Sequence, residues 1–140
     1  MVVIEKPNNI DLKTVGCIMV YDSKYILFYR AKDKKWSSLS GKIESDEKNY
    51  EAIFRELDEE INFIKENPNF FQTTYHKYGS KNISYDIFEI KFNYNPLSSF
   101  KLKKDELLKV DLFSLDEALK LDLFEDEDFC LKKYHEERMK

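Results

Sequence analysis

The sequence predicts a single α+β domain, a β-sheet packed with helices, and three observations lead there. Several segments have the β-branched or aromatic composition and the length of strands. One stretch, from about Asp46 to Asn62, places its apolar side chains at helical spacing. The 140 residues, 42% hydrophobic and 15% aromatic, fit one domain (residues 1–140) with a core of its own.

Thr14 to Tyr21 (TVGCIMVY) and Lys24 to Arg30 (KYILFYR) are apolar runs separated by the turn formers Asp22 and Ser23, and they read as adjacent strands with a tight connection. Arg30 closes the second run where the chain turns polar. It is either a solvated strand end or a group aimed at a phosphate. Trp36 to Gly41 (WSSLSG) leads into the helical stretch, for which Ser45 is the N-cap candidate, with Asp46 and Glu47 suiting the positive first turn.

On a helical wheel of about 100° per residue, Tyr50, Ile53, Phe54, Leu57 and Ile61 share one apolar arc. Glu60, Glu56 and Glu59 line its flank, Asp58 points away, and Arg55 falls on the far side. Like charges at Glu56 and Glu60 cost roughly 0.2 to 0.5 kcal/mol, and acids near a helix C-terminus oppose the macrodipole by about 0.3 to 1 kcal/mol each. A bound divalent cation would reverse both signs. A solvated charge run is the competing explanation.

Asn69 to Tyr78 and Ile83 to Tyr94 alternate polar with aromatic or β-branched residues. This predicts two antiparallel strands, each with one wet face, joined across Gly79 to Asn82. Tyr75, Tyr78 and Tyr85 either stack a nucleobase or pack, and His76 is expected at the surface. Asn95 to Lys104 (NPLSSFKLKK) reads as a long loop whose lysines serve either substrate contact or solubility. A short strand follows around Val110 to Phe113. Ser114 then caps a helix with Glu117 at the capping-box position, and EDEDFCLKKYHEERMK reads as a last helix with Phe129, Cys130, Tyr134 and Met139 on one stripe.

Composition excludes several classes. A net charge of −4 argues against a general nucleic-acid binder, which would show a basic footprint. The N-terminus lacks the pattern of a signal peptide, and no apolar run approaches the ~18 residues of a membrane span. Two cysteines, Cys17 and Cys130, make no disulfide framework, so a cytoplasmic protein is expected.

Function enters through spacing. After Gly41 come five residues, Glu47, seven more, and then Arg55-Glu56-Leu57-Asp58-Glu59-Glu60-Ile61-Asn62-Phe63. This resembles the signature of Nudix hydrolases at every defined position but one, where Asn62 replaces a glycine. Asn also tolerates the left-handed conformation that a helix end requires. WSSLSG resembles the family's approach to that box, with Leu39 and Ser40 in place of a proline and a glycine. Those replacements bear on the loop geometry and on a carbonyl the family offers to metal. Glu106, ahead of a short strand and the helix LDEA, resembles a family glutamate that reaches the metal or acts as base, with Asp105 as its neighbour and alternative.

The resemblance implies a mixed β-sheet sandwiched between helices. It implies hydrolysis of a nucleoside diphosphate linked to another moiety, a nucleoside triphosphate or a dinucleoside polyphosphate, by water attacking phosphorus with Mg²⁺ or Mn²⁺ bound. It assigns Gly41, Glu56, Glu59 and Glu60 to the metal and Glu59, Glu60, Glu106 and Arg55 to catalysis, with Arg55 bracing the loop through Glu47. Arg30, Lys42 and Tyr78 are the substrate-binding candidates. Ala52, small and on the acidic flank, would leave room for a pyrophosphate. The partner implied is a small nucleotide, with no membrane and no general nucleic acid, and oligomeric state stays open. The alternative from another class is a catalytically silent Nudix fold that binds a nucleotide or a protein.

Overall fold

The computed structural model describes residues 1–63 and 65–139. Its sheet grows from one parallel pair, β2 (Leu12–Tyr21) beside β7 (Lys81–Phe92), matched along the whole of β2. β7 pairs antiparallel with β6 (Asn69–Tyr78), and β6 carries the short β1 (Val2–Val3) on its outer edge. On its other side β2 changes partner midway. Residues 14–17 pair with β5 (Leu39–Lys42), whereas residues 19–21 pair with β3 (Lys24–Arg30). β3 is further paired with β4 (Trp36–Ser37) and β8 (Leu107–Phe113), so the sheet forks.

Local chemistry explains the joints. Asp22 and Ser23 both take left-handed φ, 51° and 60°, the geometry whose twist suits a two-residue hairpin between β2 and β3. Gly79 supplies the positive φ of the β6–β7 turn, which is tighter than expected because β7 already begins at Lys81.

The apolar runs are buried on both faces. Val15, Cys17 and Met19 of β2 face the core beneath α1 (Asn49–Ile61), while Ile18 and Val20 face the core beneath α3 (Glu127–Tyr134). The sheet therefore lies between helices, as the sequence predicts. β7 does the same, with Phe88, Ile90 and Phe92 on one side and Ile87 on the other. The single wet face expected of it is absent, because a strand flanked by helices on both sides has no solvent face to offer.

Helix α1 starts three residues later than Asp46. Asp46 sits at φ 67° in the preceding turn, and the cap is Lys48, whose N–H donates to Glu51 Oε1 at 2.8 Å, rather than Ser45. It buries Ala52, Ile53, Glu56, Leu57 and Ile61 but leaves Tyr50 and Phe54 exposed. Phe54 stands at the edge of the apolar arc farthest from the acidic flank, and Tyr50 stands in the first turn, at the end of the helix. Ala52 is a fully buried core residue and makes no room for a ligand. The helix ends as expected. Asn62 takes the left-handed conformation (φ 51°, ψ 44°), its N–H donates to the Asp58 carbonyl, and the Phe63 N–H reaches back to Leu57.

Ser114 and Glu117 form the expected capping box of α2 (Leu115–Ala118). α3 gives way at His135 to one wide π-turn ending at Met139. Among the described residues no helix is long and apolar enough to cross a membrane.

Candidate active site

The fork in the sheet holds a cavity of about 620 Å³, lined from the start of β2, the end of β3, the β4–β5 segment, α1, the β6–β7 hairpin and the segment before α3. Its two ends differ in chemistry.

The acidic end belongs to α1. Glu56 is buried with its carboxyl against the backbone of Gly41, where any Cβ would overlap it, so the glycine is a demand of packing. Arg55 binds Glu47 through Nε (2.7 Å) and Nη2 (2.9 Å), donates from Nη2 to the Lys42 carbonyl (2.9 Å), and from Nη1 meets Glu56 (2.9 Å) and Glu59 (3.3 Å). The brace through Glu47 is the one expected, and Arg55 also ties β5 to the helix. Its placement on the far side of the wheel from the acids needs correction: Arg55 and Glu59 are four residues apart and so neighbours on the helix surface, and the guanidinium meets Glu59 and Glu56 from there.

Those contacts set the proton affinities. Hydrogen bonds from Arg55 hold Glu47 down at about 2. Burial pushes Glu56 up, against the opposing pull of Arg55. Glu60 is pushed up to about 7, first by burial and then by the charges of Glu56 and Glu106, with Lys103 opposing. Among the described residues Glu60 Oε2 is buried without a hydrogen-bond partner. Glu59 stands more exposed at the mouth, Glu106 lines this end of the cavity, and Asp105 does not.

The two replacements at the edges of the box prove harmless to the backbone. Ser40 lies in β5, paired with Gly16 of β2, and has no left-handed φ, so no glycine is required there. Asn62 meets its left-handed position as described above.

The opposite end is a network the sequence did not announce. His76 is 2% exposed, not at the surface. Its Nδ1 lies 2.8 Å from Asp126 Oδ2, to which it donates, and in the neutral ring its Nε2 accepts from the Thr74 hydroxyl at 2.7 Å. Position 76 follows the polar phase of an alternating strand, yet that phase faces the segment before α3. Tyr78 adds its hydroxyl to Asp126 at 3.3 Å and meets Phe124 edge-on.

Glu127 is buried with both oxygens satisfied at 2.9 Å by the N–H and hydroxyl of Ser38. Burial pushes its carboxyl up, and the Ser38 bonds oppose that. Tyr85 reaches the cavity because Gly16 beneath its hydroxyl has no side chain. A glycine within a strand run is the one sequence signal that marks such a close approach. Tyr75 does not line the cavity. Arg30 does, but it lies 4.1 Å over the Phe124 ring and 3.2 Å from Asp33, so it is already engaged.

The donors at the acidic end fit a hard divalent cation. They are carboxylate oxygens, one of them buried and unpartnered. Among the described residues no three metal-binding side chains are yet closed into a cage. Mg²⁺ does not need one, because it keeps several waters and relies on one or two carboxylates plus substrate phosphates.

Comparison with protein families matches the NUDIX domain over residues 11–133. Comparison with curated proteins returns no match. Among solved structures the chain is similar to a MutT NUDIX hydrolase from Burkholderia pseudomallei, with 18% identity, 86% of this chain and 95% of that chain covered, and TM-score 0.74. It is similar to a C. elegans Ap4A hydrolase at 21% identity, with 89% and 96% covered and TM-score 0.73. The NUDIX domain of Shewanella oneidensis NrtR, solved with ADP ribose, aligns at 17% identity, with 98% and 95% covered and TM-score 0.76. At these identities the likeness establishes the fold.

Proposed function

This chain belongs to the Nudix family and is a hydrolase of pyrophosphate bonds, and from that premise we propose a metal-dependent enzyme whose substrate is a nucleoside diphosphate linked to another moiety. The observation that carries the reading is the buried, unpartnered Oε2 of Glu60, set among the charges of Glu56, Glu59 and Glu106. An orphaned buried oxygen in a field of its own sign is costly. It calls for a cation.

Mg²⁺ or Mn²⁺ held by Glu56, Glu59 and Glu60, with the β5 backbone near Gly41 and Glu106 at hand, would neutralise phosphate charge and acidify bound water. The chain's own residues do the positioning. Arg55 fixes the β5 strand to the helix and keeps Glu56 against Gly41. Glu59 or Glu106 takes the proton of the attacking water, and Lys42 and Lys103 line the end where phosphates would lie. The other end, with Tyr78, Tyr85 and Phe124 beside Asp126, is built for a nucleoside: flat aromatic surface with hydrogen-bonding groups along its edge. A nucleoside triphosphate or a dinucleoside polyphosphate has this two-part character. Both cysteines are free and buried, which suits the cytoplasm.

The test is Glu60→Gln assayed with Mg²⁺ on a nucleotide panel by the phosphate products released. The folded variant should lose at least about 100-fold in turnover. Unchanged turnover would overturn the assignment, and a wild type that turns over no nucleotide would point to the binding module instead.

A further inference from the structure

Five cationic side chains line the cavity: Arg30, Lys32, Lys42, Arg55 and Lys103. Both arginines are committed, Arg55 to Glu47, Glu56, Glu59 and the Lys42 carbonyl, Arg30 to Asp33 and the Phe124 ring. A substrate rich in phosphate must find its positive partners among the lysines.

Lys103 is set apart by its backbone. Its N–H donates to the Glu60 carbonyl at 2.8 Å, and the N–H of Lys101 donates to Ile61 at 2.9 Å. These are carbonyls that the end of α1 cannot satisfy internally, so the loop between β7 and β8 is pinned to the helix that carries the acids. Lys101 and Lys104 sit in the same loop, yet only Lys103 lines the cavity. The side-chain pairs that surface lysines do form are Lys35 with Asp122 and Lys133 with Glu137. Lys103, like Lys32 and Lys42, forms none among the described residues, and its charge pulls against the acids that push Glu60 up.

We propose that Lys103 serves as a stand-in cation for the acidic end when ligand is absent and as a phosphate-binding residue when polyphosphate arrives. The proposal rests on the pyrophosphohydrolase reading. A long, flexible ammonium with three donors can make that exchange, whereas a guanidinium fixed by several partners cannot. Electrostatics gives the two roles opposite signs. An ammonium near the carboxylates repels an incoming divalent cation, while the same ammonium attracts phosphate oxygens. Removing it should therefore strengthen metal binding and weaken phosphate binding. A lysine present for solubility alone would do neither.

The experiment compares wild type, Lys103→Met, Lys103→Arg and Lys104→Met by two binding measurements at low salt. Mn²⁺ added to protein alone, followed by electron paramagnetic resonance, should bind Lys103→Met about threefold more tightly. Imidodiphosphate, a pyrophosphate analogue with a nitrogen bridge, titrated calorimetrically with Mn²⁺ present, should bind the same variant about tenfold more weakly. Lys103→Arg should restore most of both, and Lys104→Met should match wild type.

Unchanged or weaker Mn²⁺ binding by Lys103→Met overturns the stand-in role, unchanged imidodiphosphate affinity overturns the phosphate role, and a wild type that binds no Mn²⁺ overturns both. Neither readout needs turnover. An inactive wild type with these shifts intact would sink the hydrolase reading alone, whereas an active wild type without them would sink only the role of Lys103.

Discussion

The two ends of the cavity treat buried charge in opposite ways. At the end near α3 the buried acids are answered: Asp126 by His76 and Tyr78, and Glu127 by two bonds from Ser38. At the acidic end Glu56 and Glu59 share one guanidinium, Lys42 and Lys103 line the same end, and among the described residues Glu60 keeps an oxygen with no partner. A satisfied buried network fixes geometry, whereas an unsatisfied one stores a demand that only a ligand can meet. On the proposed function, the first end would serve recognition and the second the chemistry.

The largest expected effect breaks the acidic end by sterics alone. Gly41→Ala introduces a methyl group where the Glu56 carboxyl lies, and a displacement of that carboxylate by about 1 Å should lower turnover by about 100-fold. Circular dichroism should still show a folded chain, since Gly41 is in extended backbone with no left-handed φ. Full activity in that variant would mean that the position of Glu56 is unimportant.

The same logic applied to the other end predicts lost stability. Glu127→Ala strands the buried Ser38 N–H and hydroxyl, and denaturant unfolding should register about 2 to 3 kcal/mol of destabilisation. A loss below about 1 kcal/mol would show that this end of the cavity is not held by this clamp.

The contrast between the ends was unequally legible in the sequence. Arg55 and the acids of α1 stand within one short stretch, so helical geometry alone puts them together, and Gly41, in β5, is legible through its fixed spacing from them. Thr74, His76, Asp126, Glu127 and Ser38 come from three separate parts of the chain, and no periodicity links them. His76 is the example: alternation tells which face of a strand a residue takes, but not that α3 and the segment before it cover that face. Tyr50 and Phe54 failed in the reverse direction. Tyr50 shares the arc of the buried Leu57 and Ile61 but stands in the first turn of the helix, and Phe54 stands at the edge of the arc, so an amphipathic pattern gives the face of a helix and not how far the packing against it extends.

The smallest effect sharpens the comparison at its border, where Arg55 links the satisfied Glu47 to the unsatisfied acids. Hydrogen bonds from Arg55 hold the folded-state pKa of Glu47 at about 2, below the ordinary 4.5. A depressed carboxylate contributes stability that is present above its unfolded value and lost as pH falls through the folded one. For Glu47 that window runs from about 4.5 down to about 2. Carboxyl carbon NMR should show Glu47 still ionised at pH values where exposed glutamates have protonated, and in Arg55→Lys its titration should move back up, because an ammonium cannot reproduce the two-pronged contact. Glu47 is partly buried at the surface, and the accompanying change in unfolding free energy at neutral pH should be modest. If Glu47 titrates like an ordinary glutamate in the wild type, Arg55 is not held from that side, and its grip on Glu56 and Glu59 would have to come from the acidic end alone.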